Sequence, residues 1–136
     1  AAATEGKSGK PGPSLRAFME VWHEREKINR TWDAFLGEWD ALLVPVIGMV
    51  APVRGAAKTV VNGRVLTAEE VASTYIPSKI GPVSGLPIVV MPLGRTRDGL
   101  PFGVQLVGHR WQDMRLLAVA EQVAGVAGGF VRPPGY

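Results

Sequence analysis

The sequence predicts an α/β fold. It reads as a partial α/β/α sandwich in which a few mixed strands and a β-hairpin are flanked by a long N-terminal helix and a C-terminal helix. Three observations carry this reading. Apolar residues recur at steps of three and four between Leu15 and Trp39, the period of an α-helix. Two short apolar runs, Ile88–Met91 and Phe102–Val107, flank an Asp98-Gly99 turn. A second helical pattern rich in apolar positions follows directly, opened by Gln112 or Asp113.

Taken in order, residues 1–13 (AAATEGKSGKPGP) hold Ala, Gly, Pro and charge, and read as a flexible N-terminal tail. Residues 14–136 read as one unit, in line with about one domain per 150 residues. Ser14 is placed to cap a long amphipathic helix whose stripe, Leu15, Phe18, Trp22, Trp32, Leu36 and Trp39, is expected to pack on a core. Arg25 and Asn29 interrupt the stripe, so that segment is either exposed or paired. Ala41–Pro52 (ALLVPVIGMVAP) begins as a buried strand, and Pro45 and Gly48 release it into a loop. Thr59–Leu66 sets Asn62-Gly63 between β-branched residues, the signature of a tight hairpin. Thr67–Glu70 (TAEE) is a capping box, opening a short helix that stops before Pro77. Ile88–Met91 is continuous enough to be a strand buried on both faces. Arg95, Thr96 and Arg97 fall at an exposed tip, and Gly103 and Gly108 suggest close backbone approach or a bulge on the returning strand. Met114, Leu116, Leu117, Val119, Ala120, Val123 and Ala124 cover much of the last helix, which is therefore expected to be well buried. RPPGY closes the chain as an extended tail.

The totals narrow the function. The net charge is +3, with nine cations against five acids from Ala41 onward but six against seven before it. That excess is scattered and forms no basic patch or stripe, which argues against nucleic acid. No apolar run reaches the roughly 18 residues of a membrane span. The absence of Cys excludes a disulfide framework and a thiolate metal site, and fits a reducing, cytoplasmic setting. His23 sits in the charged run HEREK, whereas His109 follows a core strand, where function is plausible. The two lack the i, i+4 spacing of a helical metal site, so neither a metal nor a cofactor is expected.

A serine nucleophile needs a base and backbone N–H donors for the oxyanion. Ser84 lies in Gly81–Gly85 (GPVSG), which is not the G-x-S-x-G elbow, and Pro82 removes a local donor. Ser78 and Lys79 are adjacent, and neighbours on an extended chain point to opposite faces. Both are read as loop polar groups. A minimal enzyme using Ser84, or Ser78 with Lys79, is the weakest of the alternatives.

Trp32 to Pro45 (W..F...WDALLVP), then SGLPIVVMPLG, DGLPFGVQLVG and RLLAVAE, resembles the C-terminal part of the amidase signature family. The resemblance runs from about Ser14 onward and is most specific over Gly85–Glu121. It implies an α/β/α sandwich on a mixed sheet and amide hydrolysis by acyl transfer to a serine. It further implies that a lysine and a second serine relay the proton. The Gly/Ser-rich nucleophile segment and the lysine of that family belong upstream of the portion matched here, so no catalytic residue is assigned. The chain is expected to be a C-terminal piece of such a hydrolase, inactive alone, with an amide substrate bound only together with the missing part. Ile47, Gly48 and Met49, with Val46 beside them, are the candidate substrate-binding residues: an apolar loop after a strand end suits an acyl group. The alternative is a non-catalytic binding or assembly module that self-associates or completes a partner chain.

Overall fold

The computed structural model describes residues 12–132 and Gly135. Of the expected tail over residues 1–13, only Gly12 and Pro13 are described, in no regular element; the rest lies outside the described residues. Of RPPGY, only Arg132 and Gly135 are described.

The elements follow one another as α1 (Leu15–Leu36), β1 (Leu42–Pro45), β2 (Val60–Val61), β3 (Arg64–Val65), α2 (Ala68–Thr74), a 3₁₀ turn (Pro77–Lys79), α3 (Ile80–Ser84), β4 (Ile88–Arg95), β5 (Pro101–Val107) and α4 (Asp113–Ala127). Local chemistry sets most of these boundaries. The Ser14 hydroxyl accepts from the Ala17 N–H at 3.2 Å and caps α1. Asn62 (φ 51°) and Gly63 (φ 77°) make the turn between β2 and β3. Thr67 and Glu70 close the expected capping box at the start of α2.

The main sheet has the order β1-β5-β4, and both ladders are antiparallel. β1 and β4 therefore run in the same direction on either side of β5, without pairing to each other. The mixed pairing expected of the strands is absent among the described residues. Side chains alternate across the sheet. On one face Met91, Val104 and Leu106 pack against Leu116 and Ala120 of α4. On the other, Val107 joins Leu36 of α1 and Leu86, with Trp32, Leu42, Val44, Ile80 and Ile88 around them. Helix, sheet and helices thus form the three layers of an α/β/α unit. Gly103 answers the expected close approach: a Cβ there would stand 2.8 Å from the Met91 carbonyl oxygen, beside a bulge between Pro92 and Gly94.

Three further expectations are corrected. The apolar stripe of α1 does not lie on the core along its length. Leu15 is 78% exposed, and Phe18, Met19 and Trp22 are exposed with it. The helix docks instead through the positions that interrupt the stripe. Arg25 Nε donates to the Val83 carbonyl at 2.8 Å, Asn29 is buried, and Trp32 and Leu36 complete the contact. The helix ends at Leu36, which leaves Trp39 beyond it and exposed. Second, β4 is covered on both faces only at its start: Ile88 packs with Leu36, Leu86 and Val107, but Val90, on the same face, is 60% exposed. Third, α4 buries only Leu116 and Ala120, and Met114 is 77% exposed. A single helix on a three-stranded sheet covers one stripe, and among the described residues nothing packs on the outer side of α4.

Leu116 and Leu117 are neighbours in sequence with opposite fates, which makes a direct test. Leu116→Ala removes a fully buried side chain and is expected to cost about 2–5 kcal/mol. Leu117→Ala, at a half-exposed position, is expected to stay within about 1 kcal/mol. Urea unfolding followed by circular dichroism checks both; equal losses would mean that α4 packs on the sheet by another face.

Candidate substrate groove

Beyond Pro45 the chain leaves the sheet, because proline cannot donate to a ladder. The segment that follows runs over to the β2–β3 hairpin. Two tethers hold its start. The Gly48 N–H donates to the Thr74 carbonyl at 2.7 Å, fastening the loop to the end of α2. Gln105, buried on β5, donates from Nε2 to the Pro77 carbonyl at 2.7 Å and to the Pro45 carbonyl at 3.3 Å. A buried amide is tolerated only if it is hydrogen-bonded. Here that requirement joins β1, β5 and the 3₁₀ turn.

Between this loop, the hairpin and the tip of β4–β5 lies a groove of about 1220 Å³. Ile47, Gly48 and Met49 all line it. Val46, flagged beside them, does not. Lys58, Val60, Arg97, Leu100 and Phe102 line it as well, and sequence reasoning did not place these residues there. By sequence alone, Arg97 is an exposed turn tip. No local signal shows that a tip some fifty residues later in the chain returns to the same loop.

The nucleophile candidates are occupied otherwise. Ser84 is buried, and its Oγ donates to the Ile80 carbonyl at 2.5 Å while accepting from the Leu86 N–H at 3.3 Å. The Ser78 hydroxyl donates to the Tyr75 carbonyl at 2.7 Å, and no hydrogen bond joins it to Lys79. His109 Nε2 donates to the Trp39 carbonyl at 2.8 Å, holding the end of β5 to the chain after α1. His23 lies exposed on α1. Among the described residues no cluster of three or more His, Cys, Asp or Glu side chains could hold a metal ion, and no helix is long and apolar enough to cross a membrane.

A family model described as Amidase matches residues 14–117. The chain belongs to the amidase family. It is 31% identical over 131 residues to a 6-aminohexanoate-cyclic-dimer hydrolase of Paenarthrobacter ureafaciens, an alignment covering 88% of this chain and 25% of the relative. A solved structure of 6-aminohexanoate cyclic dimer hydrolase superposes with a TM-score of 0.58 at 31% identity, covering 90% of this chain and 26% of that one. A crystal structure of an amidase superposes with a TM-score of 0.66 at 24% identity, covering 85% of this chain and 26% of that one, and so shares the fold. The chain thus spans about a quarter of the length of the curated relative it matches.

Within this amidase segment the hairpin beside the groove is held by charge. The Thr67 backbone N–H donates to Glu70 Oε2 at 2.8 Å, and Arg64 pairs with Oε1. The Thr67 N–H above all, with the Arg64 guanidinium, holds the Glu70 carboxyl below its ordinary value of 4.5, and desolvation opposes them without cancelling the shift. A depressed folded pKa stabilises the fold fully above the unfolded value and loses that contribution as pH falls through the folded one. The β3–α2 tether is therefore intact at pH 4.5 and above, and releases only below it. A carbon-13 titration of the Glu70 carboxyl is expected to show a midpoint under 4.5, and Glu70→Gln to abolish the accompanying shift of the Thr67 amide. A midpoint at or above 4.5 would remove the tether.

Gln105 yields a second test. Gln105→Leu leaves two carbonyls without their donor and is expected to cost about 1–3 kcal/mol. It is also expected to speed limited proteolysis between Val46 and Lys58. Loss of stability with unchanged cleavage of that loop would show that the amide serves the core and not the groove.

Proposed function

We propose that this chain is the C-terminal part of an amidase-signature hydrolase and supplies the acyl-side wall of its substrate pocket, with Ile47, Gly48 and Met49 in contact with substrate. On this reading it is inactive alone, and the nucleophile, its base and the oxyanion donors come from polypeptide outside these 136 residues.

One observation carries the proposal: every serine among the described residues already has its hydroxyl bonded to local backbone. Ser73 and Ser78 donate to the carbonyls of Glu70 and Tyr75, each at 2.7 Å, and Ser84 donates to Ile80. Ser14 serves as the α1 cap. A hydroxyl donating to a backbone carbonyl of its own turn is not paired with a side-chain base that could take its proton. The family match supports amide hydrolysis as the reaction of the complete protein. The apolar groove supports an acyl-contacting role, since ligand sites are concave and mostly apolar with a few polar groups.

A second reading, a non-catalytic assembly module, is favoured by a separate feature. The exposed stripe of α1 and the open outer edges of β1 and β4 offer the apolar surface and bare backbone that invite association.

An activated-phosphonate serine probe followed by mass spectrometry tests the first reading. No adduct at Ser78 or Ser84 and no hydrolysis of a panel of small amides is expected. Stoichiometric labelling of either serine would overturn it. Ser84→Ala is expected to lower stability by about 1–2 kcal/mol, as loss of a buried hydrogen bond does. Sedimentation of the chain alone is expected to show self-association or poor solubility, because these surfaces are uncovered; a clean, stable monomer would count against the fragment reading and against self-association alike.

A further inference from the structure

The lining of the groove indicates which acyl groups suit it. Ile47, Met49, Val60, Leu100 and Phe102 supply aliphatic and aromatic surface. Two cations join them from separate segments, Lys58 ahead of β2 and Arg97 at the β4–β5 tip. Neither makes a salt bridge among the described residues. Asp98 is the one acid in the lining, so two cations against one acid leave the groove positive.

We propose that the groove binds an aliphatic chain ending in a carboxylate, so that the amide cleaved by the complete protein carries an anionic group at the far end of its acyl chain. This deepens the acyl-wall reading above and rests on it. Each part of the ligand meets its counterpart. Methylenes gain by leaving water against the aliphatic walls. A carboxylate between an ammonium and a guanidinium receives charge-assisted hydrogen bonds. An amine of the same length faces the same two cations and is repelled. The groove volume of about 1220 Å³ exceeds the roughly 300–1,000 Å³ of common small-molecule sites and leaves room for a medium-length chain.

The test uses the intact chain with hexanoate, octanoate and decanoate, and with octanol and octylamine as controls. Calorimetry at low salt measures affinity, and methyl NMR shifts locate the ligand. Affinity is expected to rise about two- to fourfold per methylene, as partial to full burial of a CH₂ implies. Octanoate is expected to bind at least about tenfold more tightly than octanol or octylamine, a preference that salt weakens. Shifts should fall on Ile47, Met49, Val60 and Leu100. Lys58→Ala combined with Arg97→Ala, both at exposed positions, is expected to leave the circular dichroism spectrum unchanged and to reduce octanoate to the affinity of octanol. Equal affinity for octanoate and octylamine, shifts confined to the α1 stripe, or no binding at millimolar concentration would each overturn the proposal. Binding needs no nucleophile, so a failure here leaves the serine-labelling result standing. A labelled serine, conversely, would leave a carboxylate preference standing.

Discussion

β5 is paired on both edges and contacted on both faces, and the other elements take their places from it. Its alternation assigns Val104 and Leu106 to the α4 side, and Gln105 and Val107 to the side of α1 and α3. A slip of one residue would bring Gln105 against Leu116 and lose both hydrophobic clusters together. Gln105 sharpens the constraint, because its amide can be buried only where two carbonyls wait for it. Those carbonyls belong to Pro45 and Pro77, so the same bonds that make the strand acceptable also fix where the groove loop departs and where the 3₁₀ turn lies. A polar group in the middle of a core strand thus couples the scaffold to the site.

How far the sequence spoke depends on the range of the physics involved. Asn62-Gly63, the Thr67–Glu70 box, the Ser14 cap and the Asp98-Gly99 turn are written in a few consecutive residues, and each forms where expected. The burial of α1 and α4 departs from expectation because periodicity shows which face of a helix is apolar and not what lies against it. Leu15, Phe18 and Trp22 are apolar and uncovered, while Asn29 is polar and buried. Arg25 gave the one hint, as an interruption that had to be exposed or paired. It proves paired, to a carbonyl 58 positions away, and it also lies over the Trp22 ring at 5.2 Å. The groove divides in the same way. Ile47–Met49 could be singled out as the loop after a strand, but Lys58 and Arg97 meet it only through the long-range return of β4–β5.

Eight hydrophobic residues are buried among the described residues, against twenty-five large hydrophobics that remain exposed. A chain of this length that closed on itself would bury about two-thirds of its unfolded surface and leave no comparable apolar remainder. Part of that surplus lies on α1 (Leu15, Phe18, Met19 and Trp22), on the outer side of α4 (Met114 and Leu117) and at Val90 of β4. These are the surfaces that a larger amidase domain, or a second copy, has reason to cover. On the proposed reading, the small core and the borrowed catalysis are two aspects of one condition.

Separating the acyl wall from the nucleophile is physically coherent. Rate acceleration comes from interactions stronger in the transition state than in the ground state, and these gather at the reacting carbonyl. Contacts along a distant acyl chain hold ground and transition states almost equally, so they set affinity and selection more than the chemical step. Such contacts tolerate distance from the nucleophile, provided the wall is held rigidly enough to keep the carbonyl in register. The double tether of the Pro45–Gly48 segment, through Gln105 on one side and the Thr74 carbonyl on the other, meets that condition with groups that never touch the reacting atoms. On this reading the contribution of the segment to catalysis is positional, and its chemistry is that of a well-anchored surface.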